Sequence, residues 1–341
     1  MSEKQIILSG MRSTGKLHLG HYFGVLKNWI KLQEEFNCYY FIADYHALTT
    51  KFDDTSELRE NIINVALDWL SCGIDPNQST IYLQSLVPQT AELHLLLSMI
   101  TPQNWVERDP TLKDMAKILR MKKEGAGEDA SLSSQISYGL LGYPILMTSD
   151  IMIFNSDLVP VGIDQVAHLE ISRDIIRRFN NIYGSNFTEP KPKLTEIPLM
   201  KGVDGQKMGK SFHNDIKISD DEETTTKKIM SGITDRSRLR KDDPGHPDEC
   251  EVIYDYWKIF GAEEEINEIN SLCTKGEIGC ADCKKRLAKK VNEYFAPIRA
   301  KRIELAKNPK FVEEIIREGS KKAQIRAQSV LNEVKAAMKM F

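Results

Sequence analysis

Strand signals alternate with long helical stretches through the first part of the chain, and after about Asn214 only helical patterns remain. That predicts an α/β fold: a doubly wound parallel sheet over residues 1–213, then an all-helical region over residues 214–341 whose last helix packs back on the first. The length agrees, since 341 residues suit about two domains with ample core material. Such a sheet binds ligands beyond the carboxyl ends of its strands.

Each element has a local reason. "KQIILSGM" reads as a short buried strand, and residues 17–36 carry helical periodicity. "CYYFIAD" (38–44) is the second strand. A helix follows from about Asp54, where "DDTSELRE" offers N-cap residues and early acids. "STIYLQS" (79–85) is the third strand and residues 89–99 the next helix. "DLVPVG" (157–162) is the fourth strand, leading into a helix over 164–183. Residues 113–134 are polar and read as a surface excursion. Beyond them "EETTTKKIMSGI", "EVIYDYWKIFG", "KKRLAKKVNEYFAPIRAKRIEL" and "KKAQIRAQSVLNEVKAAMKM" read as four helices.

Charged residues are 28% and hydrophobic residues 41% of the chain, with a net charge of −3. The average advertises neither nucleic acid nor membrane, although a polyanion needs only a local basic face. "MSEKQ" lacks the basic and apolar regions of a signal peptide, and no apolar run approaches roughly 18 residues. No membrane association and a cytoplasmic location are expected.

"LSGMRSTGKLHLGHYFG" (8–24) places four glycines and two histidines where the first strand turns into a helix. Gly10 and Gly15 allow a tight turn, and Gly20 leaves a face without Cβ. The helix start aims its amides at the loop, where an anion can sit. His18 and His21, three apart, project from one side of that turn, and imidazoles beside amides suit a phosphate gaining charge. Toward the end of the α/β part, "GQKMGKS" (205–211) carries Lys207 and Lys210 on a glycine-bearing loop.

Together these segments resemble the two signatures of the class I aminoacyl-tRNA synthetases, here "HLGH" (18–21) and "KMGKS" (207–211), in the family's order. The resemblance covers nearly the whole chain. "GMRSTGKLHLGH", "VDGQKMGKS" and "YPILMTSDIMIFNSDLVPVGIDQVAHLEISRD" look closest to the bacterial-type tryptophanyl family. It implies a Rossmann-type catalytic domain and a helical anticodon-binding domain. The sequence departs at Gly209, where the second motif has serine, at His21 and Ser13, where many relatives carry Asn and Pro, and at Leu8, where several have an aromatic.

Tyr143, Met147 and Asp150 fall at i, i+4 and i+7 of one helical segment and so share a face. An indole needs flat apolar contact and one acceptor for its N–H, which Met147 and Asp150 combine. Gln165 and Tyr143 resemble the residues that hold the substrate α-amino group, and Leu8, Val159 and Val161 complete the tryptophan set. For ATP the resemblance implies Arg12, Ser13, Thr14, Gly20, His21, Gly162, Asp164, Lys207, Met208, Lys210 and Ser211, with Mg²⁺ on the phosphates. His18, His21, Lys207 and Lys210 are the expected catalytic residues. The implied reaction forms tryptophanyl-adenylate and pyrophosphate from L-tryptophan and ATP, then charges tRNA(Trp). A homodimer is implied by the family alone. Met147 argues against a tyrosine-specific enzyme of the same fold, and the intact histidines and lysines against an inactive RNA-binding relative.

Cys250, Cys273, Cys280 and Cys283 form the pattern Cys-x22-Cys-x6-Cys-x2-Cys. Incidental cysteines rarely cluster in this way in a reducing compartment. The spacing resembles the 4Fe–4S motif of a subset of the tryptophanyl family, with zinc and free thiols as alternatives. Cys38 and Cys72 read as buried small hydrophobes. Basic residues flank the four thiols: Arg236, Arg238, Arg240 and Lys241 before, and Lys284, Lys285, Arg286, Lys289 and Lys290 after. A solvated face and phosphate contact are both open for them.

Overall fold

The computed structural model describes residues 4–109, 112, 136–162, 166–194 and 200–341. The expected surface excursion over 113–134, and the site residues Asp164 and Gln165, lie outside the described residues, as does the side chain of Ser211.

Five strands form one parallel sheet in the order β3-β2-β1-β4-β5. They are β1 (Ile6–Arg12), β2 (Asn37–Ala43), β3 (Ser79–Leu83), β4 (Leu158–Val161) and β5 (Lys191–Leu194). β2 is buried along all but its first residue, as expected of a central strand covered on both faces. The helices between strands are α1 (Lys27–Glu35), α2 (Asp44–Lys51), α3 (Leu58–Cys72), α4 (Gln89–Ser98), α5 (Tyr143–Met152) and α6 (Val166–Tyr183). The strand order reverses at β1 and β4, which opens a crevice between their carboxyl ends.

Four strands were expected and the fifth was not. β5 is "KPKL", and its lysines and proline resemble a loop. At a sheet edge the same residues are tolerated, because one side of the strand needs no ladder donors. The single helix expected over 17–36 is instead one turn (Leu19–His21), a π-helical turn (Tyr22–Leu26) and then α1.

The last part of the chain is helical: α7 (Glu222–Ser231), α8 (Ile253–Phe260), α9 (Glu263–Thr274), α10 (Cys280–Ala306) and α11 (Pro309–Ala337). α9 was not expected, although three glutamates open its first turn. α11 starts twelve residues earlier than the quoted stretch suggests, at an Asn308 cap that accepts from the Phe311 amide, with Pro309 following.

Two contacts join the last helices to the sheet and its flanking helices. α11 lies on the edge strand β3: a Cβ at Gly319 would sit 1.8 Å from the Ile81 carbonyl oxygen, and the Leu83 amide donates to Ser320 Oγ at 3.1 Å. Only glycine permits that approach. Arg302 of α10 donates through Nε to Asp68 Oδ1 of α3 at 2.6 Å, and Asp68 Oδ2 accepts the Leu17 amide at 2.9 Å. Asp68 is fully buried, so Arg302 supplies the countercharge that such a carboxylate requires.

Candidate active site

Two cavities open at the crevice. The first, about 290 Å³, lies between the ends of β1, β2 and β4 and the helices α2, α5 and α6. Leu8, Arg12, Tyr143, Met147, Asp150, Val159 and Val161 all line it, so α5 turns the expected face inward. The second, about 320 Å³, shares Arg12 and Val161 with the first and adds Thr14, His21, Gly24 and Gly162. Gly24 sits within the π-helical turn, a distortion often found at functional sites. Ser13 is buried and borders neither cavity; it faces a hollow of about 70 Å³ beside α2.

Asp150 is the polar centre of the first cavity. It is 1% exposed, lies 2.8 Å from His46 Nε2 through Oδ2, and accepts from Gln84 Nε2 on both oxygens at 2.8 and 2.9 Å. Burial pushes its carboxyl upward, opposed by the hydrogen bonds from His46 and Gln84 and by the charges of His46 and His94. A carboxylate has about four acceptor positions, so these contacts leave capacity for a further donor. His46 and Gln84 carried no sequence signal of their own. They act on Asp150 from α2 and from the turn after β3, and only the fold brings them there.

The two signature motifs meet through backbone pairing. Leu19 N–H donates to Ile216 O at 2.9 Å and Ile218 N–H to Leu17 O at 3.0 Å, clamping the "HLGH" turn to the segment after "KMGKS". Asn214, which the sequence did not single out, fastens the second loop. Its Oδ1 accepts from Gly209 N at 2.9 Å, and its Nδ2 donates to Asp204 Oδ1 at 2.7 Å and Lys207 O at 3.2 Å. Met208 is buried with its Cβ 3.7 Å from where a Gly20 Cβ would stand, so that glycine face carries Met208 and the His18 ring.

The two histidine rings lie against each other with centres 3.8 Å apart and their planes tilted by 42°. Burial takes His18 down to about 4, with Asp215 opposing and Lys210 assisting. Burial, His18 and Lys210 take His21 in the same direction. Both shifts favour the neutral imidazole near pH 7, and His21 Nδ1 accepts from the His18 amide at 3.2 Å. The lysines diverge as well. Lys210 turns inward and donates through Nζ to Gly15 O at 2.7 Å, and burial lowers it to about 8, opposed by Asp68 and Asp215. Gly15 has φ +116°, which exposes that carbonyl at little strain. Lys207 is exposed and borders neither cavity.

The four cysteines lie on the loop before α8, at the end of α9 and on the first turn of α10. Trp257 Nε1 donates to Cys283 Sγ at 3.3 Å, and Arg238 Nη1 approaches Cys273 and Cys280 at 3.9 and 4.0 Å. Burial raises the Cys283 thiol to about 12, and it raises Cys250 and Cys273 in the same direction. Among the described residues, the only potential ligand group drawn within 4.8 Å is Asp235, His246 and Glu249, so no three of the thiols are that close. Four thiolates on one zinc ion, with bonds of about 2.3 Å, would be. The flanking basic residues divide. Lys285, Arg286, Lys289 and Lys290 pair with Asp282, Glu268, Glu293 and Glu265. Lys284 donates to Met230 O at 3.0 Å. Arg236, Arg238, Arg240 and Lys241 enter none of the ion pairs among the described residues.

Comparison with known proteins agrees with this geometry. Residues 1–296 match the family described as tRNA synthetases class I (W and Y). The tryptophan–tRNA ligase of Thermotoga maritima is 44% identical, with 98% of this chain and 99% of that protein covered. That of Aquifex aeolicus is 42% identical, with the same shares covered. The crystal structure of tryptophanyl-tRNA synthetase from Campylobacter jejuni, complexed with ADP and tryptophan, superposes with a TM-score of 0.86 at 36% identity and covers 98% of this chain and 100% of its own. A parallel sheet whose crevice is flanked by both signature motifs, matched to that family over most of its length, means that the chain belongs to the class I tRNA synthetases for tryptophan and tyrosine.

Proposed function

We propose a division of labour for the tryptophan–tRNA ligase reaction in which L-tryptophan occupies the first cavity and ATP the second. The observation that carries it is Asp150, a buried carboxylate held open as an acceptor beside Met147 in an otherwise apolar cavity. It suits an indole N–H in a flat apolar slot. Tyr143 and Gln165 take the α-amino group, and Leu8, Val159 and Val161 the ring. Arg12 borders both cavities and stands where the substrate carboxylate meets the nucleotide.

A tryptophan carboxylate oxygen attacks the α-phosphorus, the bond from that phosphorus to the bridging oxygen breaks, and pyrophosphate leaves with the electron pair. No proton transfer is needed. Positioning and charge neutralisation therefore carry the step. His18 and His21 donate to the phosphates as neutral imidazoles. Lys210, Lys207, Met208 and Ser211 close over the pyrophosphate, with Thr14 lining the approach and Gly162 and Asp164 near the ribose, whereas Ser13 borders a separate hollow and the face of Gly20 carries Met208 and the His18 ring. Mg²⁺ neutralises phosphate charge when ATP is bound. The described residues that line the second cavity include no carboxylate, so Mg²⁺ would be held there mainly through the nucleotide it accompanies. A hydroxyl of the terminal ribose of tRNA(Trp) then attacks the acyl carbon and releases AMP.

Residues 1–213 serve as the catalytic domain and 214–341 as the anticodon-binding domain. There Arg236, Arg240 and Lys241 are the phosphate contacts, since the later basic run is neutralised by its own acids. Cys250, Cys273, Cys280 and Cys283 hold a 4Fe–4S cluster. A cluster spreads its thiolates wider than a single ion does, and the Trp257 N–H and the Arg238 guanidinium suit sulfur ligands carrying negative charge. When bound, it ties together the loop before α8, α9 and α10. A cytoplasmic homodimer completes the reading. Among the described residues no helix is long and apolar enough to cross a membrane.

ATP–pyrophosphate exchange assayed with each of the twenty amino acids tests the substrate, and tryptophan alone should support it. Exchange driven better by tyrosine, or by no amino acid, would overturn the assignment. For the thiols, anaerobically purified protein should be brown with about four irons per chain. A colourless preparation with one zinc would overturn the cluster.

A further inference from the structure

The "HLGH" turn is held at both of its ends by one helix from the last part of the chain. Before it, the Leu17 amide donates to Asp68 Oδ2 at 2.9 Å, and Asp68 Oδ1 accepts from Arg302 Nε of α10 at 2.6 Å. Arg302 Nη2 also donates to Asn64 Oδ1 at 2.7 Å, so the guanidinium fork grips two residues on one face of α3. After the turn, Tyr22 follows His21 directly, and its hydroxyl lies 3.1 Å from that of Tyr294, also on α10. The Tyr22 ring meets those of Tyr294 and Phe295 edge-on, with centres 6.0 and 5.3 Å apart.

Neither Arg302 nor Tyr294 belongs to a signature motif or borders either cavity. Their effect falls on where the two imidazoles stand. His18 is the next residue after Leu17, and His21 Nδ1 accepts from the His18 amide at 3.2 Å, so a shift at Leu17 is passed to both rings. The helix that reaches the turn is itself fixed: Arg299 Nη2 donates to Thr225 Oγ1 of α7 at 2.8 Å. In a displacement that needs no proton transfer the rate depends on placement, and a misplacement of about 1 Å costs on the order of 10²-fold.

We propose that Arg302 and Tyr294 are positioning residues for His18 and His21, acting through Asp68 and Tyr22. This deepens the reading of the phosphate end above and rests on it. Through these two contacts α10 joins the helical part of the chain to adenylate formation.

The test measures adenylate formation by stopped flow in the whole chain, with Arg302→Gln alone, His18→Ala alone and the two together. Arg302→Gln should lower the rate by roughly tenfold or more, with tryptophan affinity within about twofold of wild type. Added to His18→Ala it should cost less than about twofold further, because the group that it positions is gone. Three outcomes would overturn the proposal: no loss of rate, a comparable loss of tryptophan affinity, or the same loss of rate with and without His18. Arg302→Gln leaves Asp68 buried without its guanidinium, so it can fail to fold. In that event Tyr294→Phe and His21→Ala form a second cycle. Tyr294→Phe removes one half-buried hydroxyl. It should slow adenylate formation by about twofold to fivefold in the wild type and leave His21→Ala unchanged. An equal change in both backgrounds, or none, overturns the proposal. If neither His18→Ala nor His21→Ala slows an otherwise wild-type protein, the phosphate reading itself is overturned.

Discussion

At the amino-acid cavity the polar side chains are bonded to one another: Asp150 with His46 and Gln84, Tyr143 and His168 with Asp109. At the phosphate end the arrangement is different. His18 and His21 are neutral, Lys210 rests on the Gly15 carbonyl, and Lys207 is in solvent. His18 Nδ1 has no hydrogen-bond partner among the described residues. In the first region these donors and acceptors are already joined by contacts between α2, α5, α6 and the turn after β3. The second joins two segments 195 residues apart by a few backbone bonds and one lysine. On the proposed reading, selection of the amino acid would thus rest on bonds already made, whereas leaving-group stabilisation would rest on side chains that must change partners.

The largest effect expected from this contrast is kinetic. Lys210→Ala should lower the rate of adenylate formation by about 10²- to 10³-fold, as loss of one aimed charge does. Equilibrium binding of tryptophan should stay within about twofold. Stopped-flow measurement of adenylate formation checks it, and a collapse of tryptophan affinity with the rate preserved would reverse the roles of the two regions.

The next effect separates the regions by pH. Burial lowers the His18 pKa from 6.5 to about 4. Above pH 6.5 the imidazole is neutral in both folded and unfolded chains. Below 6.5 only the unfolded chain takes up the proton, so stability is lost between pH 6.5 and about 4, by about 3 kcal/mol in full. That is a factor of about 10² in the unfolding equilibrium. Asp150, raised by burial, has the opposite slope. Urea unfolding at pH 7 and pH 5 should show a smaller acid loss in His18→Gln than in the wild type. An equal loss in both would show that the imidazole is not the acid-sensitive group.

The smallest effect belongs to the preformed region, where one atom is exchanged. Asp150→Asn keeps a carbonyl but turns an amide donor toward His46, Gln84 or the indole N–H. KM for tryptophan should rise by roughly tenfold or more, with KM for ATP nearly unchanged. Equal rises for both would assign Asp150 to the fold rather than to the indole.

Sequence reading succeeded where a feature is local. The inward face of α5 follows from helical periodicity, and the glycine-rich turn and the lysine loop carry their own punctuation. It stopped where chemistry depends on distant contacts. His46, Gln84, Asp109 and His168 occur in ordinary contexts and gain meaning only from what lies opposite. Asp68 and Arg302 are 234 residues apart. The two lysines of the second motif look equivalent in one dimension, yet one is buried and the other exposed. β5 was hidden by residues that suit a loop and an edge strand equally well, whereas the start of α9 was marked by acids that could have been read.

The seating of α11 on β3 has a consequence for how the protein is made. Leu83 waits for Ser320, 237 residues later, to receive its amide hydrogen. At roughly 5–20 residues per second of synthesis, the edge of β3 stays uncovered on the ribosome for about 10–50 s. During that interval its unpaired amides and carbonyls are a template for a neighbouring nascent chain. A transcript that stops at residue 296, where the family match ends, would leave that edge uncovered permanently. The final helix is thus the step that ends the chain's exposure to aggregation and chaperone capture.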